Sequence, residues 1–140
     1  MIRRPRPSDQ GYIAATWARS MLSCHASQRH LRSRNGQQIG QQIDAVLDRK
    51  DTRAWLSVRP EDQDQIRGWI LYCEGPAVPT IFYIYVRRDD RGVGVAQELL
   101  DALGITRTTG VVCTSIGPSS ESVRGRYKAA VYVPLSEFLK

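Results

Sequence analysis

The 140-residue chain carries 20 Lys plus Arg against 14 Asp plus Glu, and three cysteines. This ordinary globular balance excludes a long disordered tail and argues for one domain, 1–140, whose single core needs neither disulfide nor structural metal. The net charge of +6 lies wholly in residues 1–36, which hold seven arginines and one acid, Asp9; residues 37–140 hold 13 charges of each sign.

In chain order, Ile2 to Arg6 reads as a short edge strand. Ser8 or Asp9 then offers an N-cap oxygen to a helix through Tyr12, Ile13, Trp17 and Met21, which share one face and end near Ser23. From Cys24 to Gly36 the chain is polar and Arg-rich, with Asn35-Gly36 as a turn signal. Ile39, Ile43, Val46 and Leu47 follow at amphipathic spacing and predict a second helix finishing near Lys50. The texture then changes to period two. Arg53 to Val58 reads as a strand, Pro60 to Asp64 as a hairpin connection and Ile66 to Cys73 as the antiparallel partner. After a Gly75-Pro76 turn, Thr80 to Val86 is apolar and aromatic on both faces, the mark of a central strand. Charged residues 87–91 break it. Val93, Ala96, Leu99, Leu100 and Leu103 then mark a helical face ending at Gly104, and a short strand runs from Gly110 to Thr114. Beyond a Gly117-Pro118 break, Ser120 to Tyr127 predicts a short helix and Ala129 to Val133 a last strand, followed by a tail, Pro134 to Lys140.

No apolar run approaches the ~20 residues of a membrane span, and no targeting segment opens the chain, which predicts a soluble, cytoplasmic protein. Cys24, Cys73 and Cys113 are odd in number, widely spaced and without a neighbouring Cys/His ligand pair, against both a disulfide framework and a zinc site. His25 and His30 read as a solvated loop pair. Of the 20 basic residues 17 are Arg, the planar fork that grips phosphate and carboxylate in pairs.

The stretch that carries chemistry is Val86-Arg87-Arg88-Asp89-Asp90-Arg91-Gly92-Val93-Gly94-Val95-Ala96, a strand end followed by a glycine loop that opens a helix. The free N–H groups of a helix start point outward with the positive end of its dipole, and glycine at 92 and 94 lets an anion approach the backbone. A pyrophosphate fits this chemistry. A Rossmann fingerprint is excluded because Gln97 stands where its third glycine belongs, and a P-loop because no Gly-Lys-Ser/Thr follows.

Arg91-x-x-Gly94-x-Ala96 resembles the Arg/Gln-x-x-Gly-x-Gly/Ala signature of the GNAT superfamily of N-acetyltransferases. The strand ending at Val86, the Leu99-Leu100 pair, the Ile2-Arg3-Arg4-Pro5-x-x-x-Asp9 start and the Gly68-Trp69-Ile70 step are similar to the same family's surroundings. The resemblance implies an α/β GNAT fold, a mixed, mostly antiparallel sheet flanked by helices. It further implies that backbone N–H groups of Arg91, Gly92, Val93, Gly94, Val95 and Ala96 hold the pyrophosphate of acetyl-CoA (coenzyme A), with Ile84 and Val86 as strand edges for the pantetheine arm. The family's terminal Asn-x-x-Ala-x-x-x-Tyr reads Ser120, Val123 and Tyr127 here. Tyr127 alone is retained, and with it the implied role of protonating the departing thiolate.

The chain departs from the family elsewhere. Arg88 replaces the usual proline after the strand, and residues 80–86 contain no glutamate to act as general base. Glu74 and Asp51 are the substitutes, each more simply a solvated loop carboxylate. The family resemblance places the first two helices and their connection at the acceptor groove, the position of Arg19, Arg29, Arg32 and Arg34. Such a rim attracts an acidic or phosphate-bearing acceptor and disfavours protonation of its amine. The expected activity is thus transfer of an acyl group from acetyl-CoA to a primary amine of a small molecule or protein, by direct attack. A homodimer is open to the chain. Two other readings stay open: a GNAT-like fold without catalysis serving as a binding or structural protein, for instance in a phage assembly, and an Arg-rich nucleic-acid binder. Against the last, no RNA-binding aromatic signature accompanies the arginines.

Overall fold

The computed structural model describes residues 1–24, 32–75, 77–105, 110–114, 130–133 and 135–139. In chain order these form β1 (Ile2–Arg3), a 3₁₀ turn (Pro7–Asp9), α1 (Gln10–Cys24), α2 (Arg32–Leu47), β2 (Arg53–Arg59), β3 (Asp62–Cys73), β4 (Thr80–Val86), a second 3₁₀ turn (Arg88–Asp90), α3 (Val95–Ala102), β5 (Val111–Cys113), β6 (Ala130–Tyr132) and α4 (Leu135–Phe138). The six strands lie in the order β1-β2-β3-β4-β5-β6, antiparallel from β1 to β4 and parallel from β4 to β6. The sheet is mixed and mostly antiparallel, with helices on both faces, as the resemblance implied.

Each face has its own core. Ile13 and Trp17 of α1 and Ile39, Ile43 and Val46 of α2 pack against Leu56, Val58, Trp69 and Leu71. On the other face Val95, Leu99 and Leu100 of α3 cover Ile70, Ile84, Val86 and Val111. Period two in β2 and β3 thus feeds both cores at once.

Three expectations are corrected. Asn35-Gly36 makes no turn and lies within α2, whose buried stripe from Ile39 outweighs a local glycine penalty of about 1 kcal/mol. The same helix stops at Leu47, short of Lys50, where the Thr52 hydroxyl donates to Val46 O at 2.6 Å and the Arg49 amide closes a tighter turn on the same carbonyl at 3.2 Å. The tail contains a helical turn: Leu135 is buried in the first core, and the Phe138 ring meets Phe82 edge-on at 5.3 Å beneath the Arg49 guanidinium. Smaller differences follow the same rule. The β2–β3 turn shortens to Pro60-Glu61, because the exposed start of β3 continues the ladder to Arg59↔Asp62. Asp9 caps as an acceptor inside the first turn, its carboxylate taking the Arg6 N–H at 2.7 Å.

β4 has the predicted bounds and an interior place between β3 and β5. It also carries a bulge that the pattern did not announce: Leu71 pairs with Tyr83 and Tyr72 with Ile81, leaving Phe82 as the extra residue. The bulge resets the alternation. Phe82 and Tyr83, though consecutive, both enter the α1/α2 core, while Ile81 and Ile84 both face α3.

Candidate functional site

The site is built where β4 parts from β5. The parallel ladder between them holds only Thr80↔Val112 and Ile81↔Cys113. Thr114 then ends it, its N–H donating to Ile81 O and its hydroxyl to Phe82 O, both at 3.1 Å. Beyond the bulge, Arg87 N donates to Arg67 O at 2.8 Å, so by alternation Tyr85 turns its peptide groups to β3 and Ile84 and Val86 turn theirs the other way. Among the described residues no strand lies along that edge. Arg91 Nε donates to Val86 O at 3.1 Å; the rest of the edge can pair with an extended ligand that carries amides, as an added strand would.

A few residues on, Gly92 and Gly94 take φ of 81° and 90°, a left-handed conformation that other residues rarely adopt. Beyond the adjacent residues, no described atom lies within 4 Å of a Cβ built on either, and Val93 between them is 65% exposed. The first helical hydrogen bond of α3 runs from Glu98 N to Gly94 O at 2.9 Å, and no described backbone acceptor takes the N–H groups of residues 92–96. Free amides at the positive end of a helix dipole favour an anion. The helix is held rigidly behind it: Val95, Leu99 and Leu100 are buried, and the Glu98 carboxylate accepts from the Ser57 hydroxyl of β2 at 2.9 Å.

The opposite side of β4 is aromatic. Tyr83 stacks on Trp17 and Tyr85 on Trp69, with ring centroids 5.8 and 5.7 Å apart. α1 ties to this cluster through Ser20, which shares a 2.5 Å hydrogen bond with the Tyr83 phenol, and Thr16, whose hydroxyl accepts from Trp69 Nε1 at 2.9 Å. Burial, and then the neighbouring Tyr85, push the Tyr12 phenol above its ordinary pKa, while Arg87 and Arg19 pull the other way. Tyr12 therefore stays protonated at neutral pH and can donate a hydrogen bond.

The structure thus brings Ile84, Val86, Arg91, Gly92, Val93, Gly94, Val95 and Ala96 to one end of β4. Tyr127, Ser120 and Val123 lie outside the described residues, as do Arg29, His25, His30 and the Gly117-Pro118 break. Arg19 is exposed on α1, and Arg32 and Arg34 open α2. Asp51 and Glu74 stand near the opposite end of the sheet, beside the Thr80 end of β4; Glu74 is exposed, and Asp51 is gripped by Arg49 through two bonds of 2.8 and 2.7 Å that hold its carboxyl below the usual range. Neither is near the loop. Cys73 and Cys113 are buried. Among the described residues no group of His, Cys, Asp or Glu could hold a metal ion, and no helix is long and apolar enough to cross a membrane. Sequence reasoning missed the bulge, the pairing of α1 with Tyr83 and Trp69, and the inward turn of Asp90. Only the consecutive aromatics Phe82-Tyr83 hinted at the first.

No protein-family model matches the chain and no curated protein does. Solved structures do. The chain is similar to a ribosomal-protein-alanine N-acetyltransferase from Brucella melitensis biovar Abortus 2308, with a TM-score of 0.54 and 18% identity, over 91% of this chain and 87% of that one. It is similar to apo YjaB from Escherichia coli, with a TM-score of 0.55 and 21% identity, over 91% and 78%. An aminoglycoside 6'-N-acetyltransferase solved with coenzyme A is similar over 74% of this chain and 52% of that one, with a TM-score of 0.50 and 12% identity.

Proposed function

From a chain that has the fold of the GNAT acetyltransferases, we propose an acetyl-CoA-dependent N-acetyltransferase that moves an acyl group to a primary amine by direct attack. One observation carries this reading: the open β4 edge at Ile84 and Val86 adjoins a glycine-built row of amides at residues 92–96. The free space around both glycines fits a phosphate group brought against the backbone. The aminoglycoside acetyltransferase with coenzyme A adds support by analogy of fold.

In this reading the N–H groups of Gly92 to Ala96 bind the pyrophosphate, the Arg91 N–H of the expected set being taken by Arg88 O at 3.4 Å, and the peptide groups of Ile84 with the N–H of Val86 align the pantetheine arm. Acetyl-CoA, when bound, supplies a thioester carbonyl open to attack by an amine. A backbone N–H of β4 stabilises the developing oxyanion, and the Tyr127 phenol protonates the departing sulfur. With no carboxylate on residues 80–86, the acceptor enters as the free amine, favoured by the positive rim of Arg19, Arg29, Arg32 and Arg34. The same rim selects an acidic or phosphate-bearing acceptor, a small molecule or a protein.

Calorimetry with acetyl-CoA, followed by thiol release with a panel of amines, tests the proposal. Binding with turnover is expected. Binding without turnover on any amine would favour a GNAT-like binding protein, and absence of binding would remove the cofactor assignment. Tyr127→Phe should lower turnover at least tenfold, the lower end of general-acid contributions, with unchanged CoA affinity. Unchanged turnover would refute its acid role.

A further inference from the structure

We infer that Asp90 is the positioning residue of the glycine loop: one buried carboxylate, gripped by guanidinium groups from three neighbouring segments of the sheet, sets the Gly92–Ala96 amides in their outward arrangement without touching the anion. The inference deepens the transferase reading and rests on it for the identity of the anion.

Two adjacent aspartates on the 3₁₀ turn have opposite fates. The Asp89 side chain is 82% exposed, whereas that of Asp90 is 6% exposed. Asp90 Oδ1 accepts from Arg59 Nη2 of β2 at 3.2 Å and lies 3.6 Å from Arg67 Nε of β3, and Oδ2 lies 3.3 Å from Arg87 Nε just after β4. The backbone is pinned at the same point, with Asp90 N donating to Arg87 O at 2.9 Å. One residue later Arg91 reaches back to Val86 O, and the two left-handed glycines follow. The chain is therefore tied to β2 and β3, and back to Arg87 at the exit of β4, immediately before the segment whose amides must face outward.

The composition of the cluster argues for position over bulk stability. Three guanidinium groups surround one carboxylate, and Asp90 Oδ2 and Arg67 Nε lack a hydrogen bond of good geometry. A group needed only for packing is well replaced by apolar side chains. What this arrangement supplies is a fixed point: charge attraction from three directions at the exit of β4, with a net positive field beside the loop.

The two roles make opposite predictions for Asp90→Asn. If the carboxylate acted only through its charge, removing it would leave more positive potential and tighten CoA binding. If it positions the loop, binding weakens although the site has become more positive. We expect CoA affinity in the full chain to fall about tenfold, the scale of a lost charge-assisted bond. The backbone order of residues 91–96, read from the heteronuclear amide NOE, should fall in the ligand-free protein while β2 and β3 keep theirs. Asp90→Glu should restore part of both. Arg59→Gln, at the exposed end of the cluster, should shift both readouts the same way by about threefold, a lesser loss because two partners remain. It decides the matter if Asp90→Asn does not fold. CoA binding equal to or tighter than wild type in Asp90→Asn, or unchanged loop order in Arg59→Gln, would overturn the inference. If wild-type protein binds no CoA, the transferase reading falls, and loop order in the ligand-free variants still decides the role of Asp90.

Discussion

Gly94 and Gly68 are the same letter and do opposite work. At Gly94 the obstacle to a side chain is conformational: φ is +90° and the space a Cβ would enter is open. Gly94→Val forces a branched residue into that region at about 1–3 kcal/mol of strain and hangs its methyls over the amide row. CoA affinity should fall at least tenfold, the equivalent of about 1.4 kcal/mol, with the fold retained, as calorimetry alongside a thermal melt will check. At Gly68 the obstacle is contact. A Cβ there would lie 2.6 Å from Tyr85 O and 3.0 Å from Val95 Cγ1, so Gly68→Ala pushes β3 away from β4 and α3 together. A loss of about 1–3 kcal/mol is expected from such overpacking, measurable by urea unfolding. The loop glycines were legible because strand, glycines and helix follow one another in sequence. Asp90 was not, since nothing in Asp89-Asp90 distinguishes the exposed carboxylate from the buried one.

Among the elements, the start of α1 shows how a local signal is completed by a distant one. Asp9 reads as a capping residue from its place before the helix; its partners include Arg3, from the edge strand, with contacts of 2.7 and 3.2 Å. The Arg3 hydrogen bonds, opposed by burial and helped by the Arg6 N–H, hold the Asp9 carboxyl below its ordinary pKa. Because the folded value is the lower one, the stabilisation is complete above the ordinary aspartate range of about 4 and is lost as pH falls through the native value. Asp9→Asn should therefore cost about 1–3 kcal/mol at pH 7 and flatten the acid side of the stability profile, as denaturant unfolding from pH 7 to pH 2 will test. The bounds of β4 were legible from an unbroken apolar run between turn signals. The early start of α2 and the helical turn at Leu135–Phe138 were not, because both depend on apolar residues finding a surface made elsewhere.

Across the whole molecule, the structure redistributes the charge excess. Residues 1–36 hold seven arginines, and among the described side chains Arg3, Arg4 and Arg6 are used in holding the chain together. Arg3 binds Asp9, Arg6 binds Asp64, and Arg4 lies 3.5 Å over the Trp55 ring while donating to Ala54 O and the Tyr72 phenol. The proposed acceptor rim, Arg19, Arg29, Arg32 and Arg34, includes none of these three. Replacing Arg29, Arg32 and Arg34 by Gln removes positive field from the acceptor amine, so its apparent pKa should rise and the ascending limb of the pH–rate profile move to higher pH. An unmoved limb would count against a role for the rim in acceptor ionisation.

By itself the sequence determined the elements of the sheet, the two helical faces and the glycine loop between β4 and α3, because periodicity, glycine conformation and helix-end chemistry act over a few consecutive residues. Only the tertiary structure decided which strand face each aromatic joined after the bulge at Phe82, which aspartate turned inward and which arginines were consumed by structure. Those outcomes depend on groups such as Arg59, Arg67 and Tyr72, placed 23 to 68 residues from their partners. They become neighbours only when the antiparallel ladder from β1 to β4 closes.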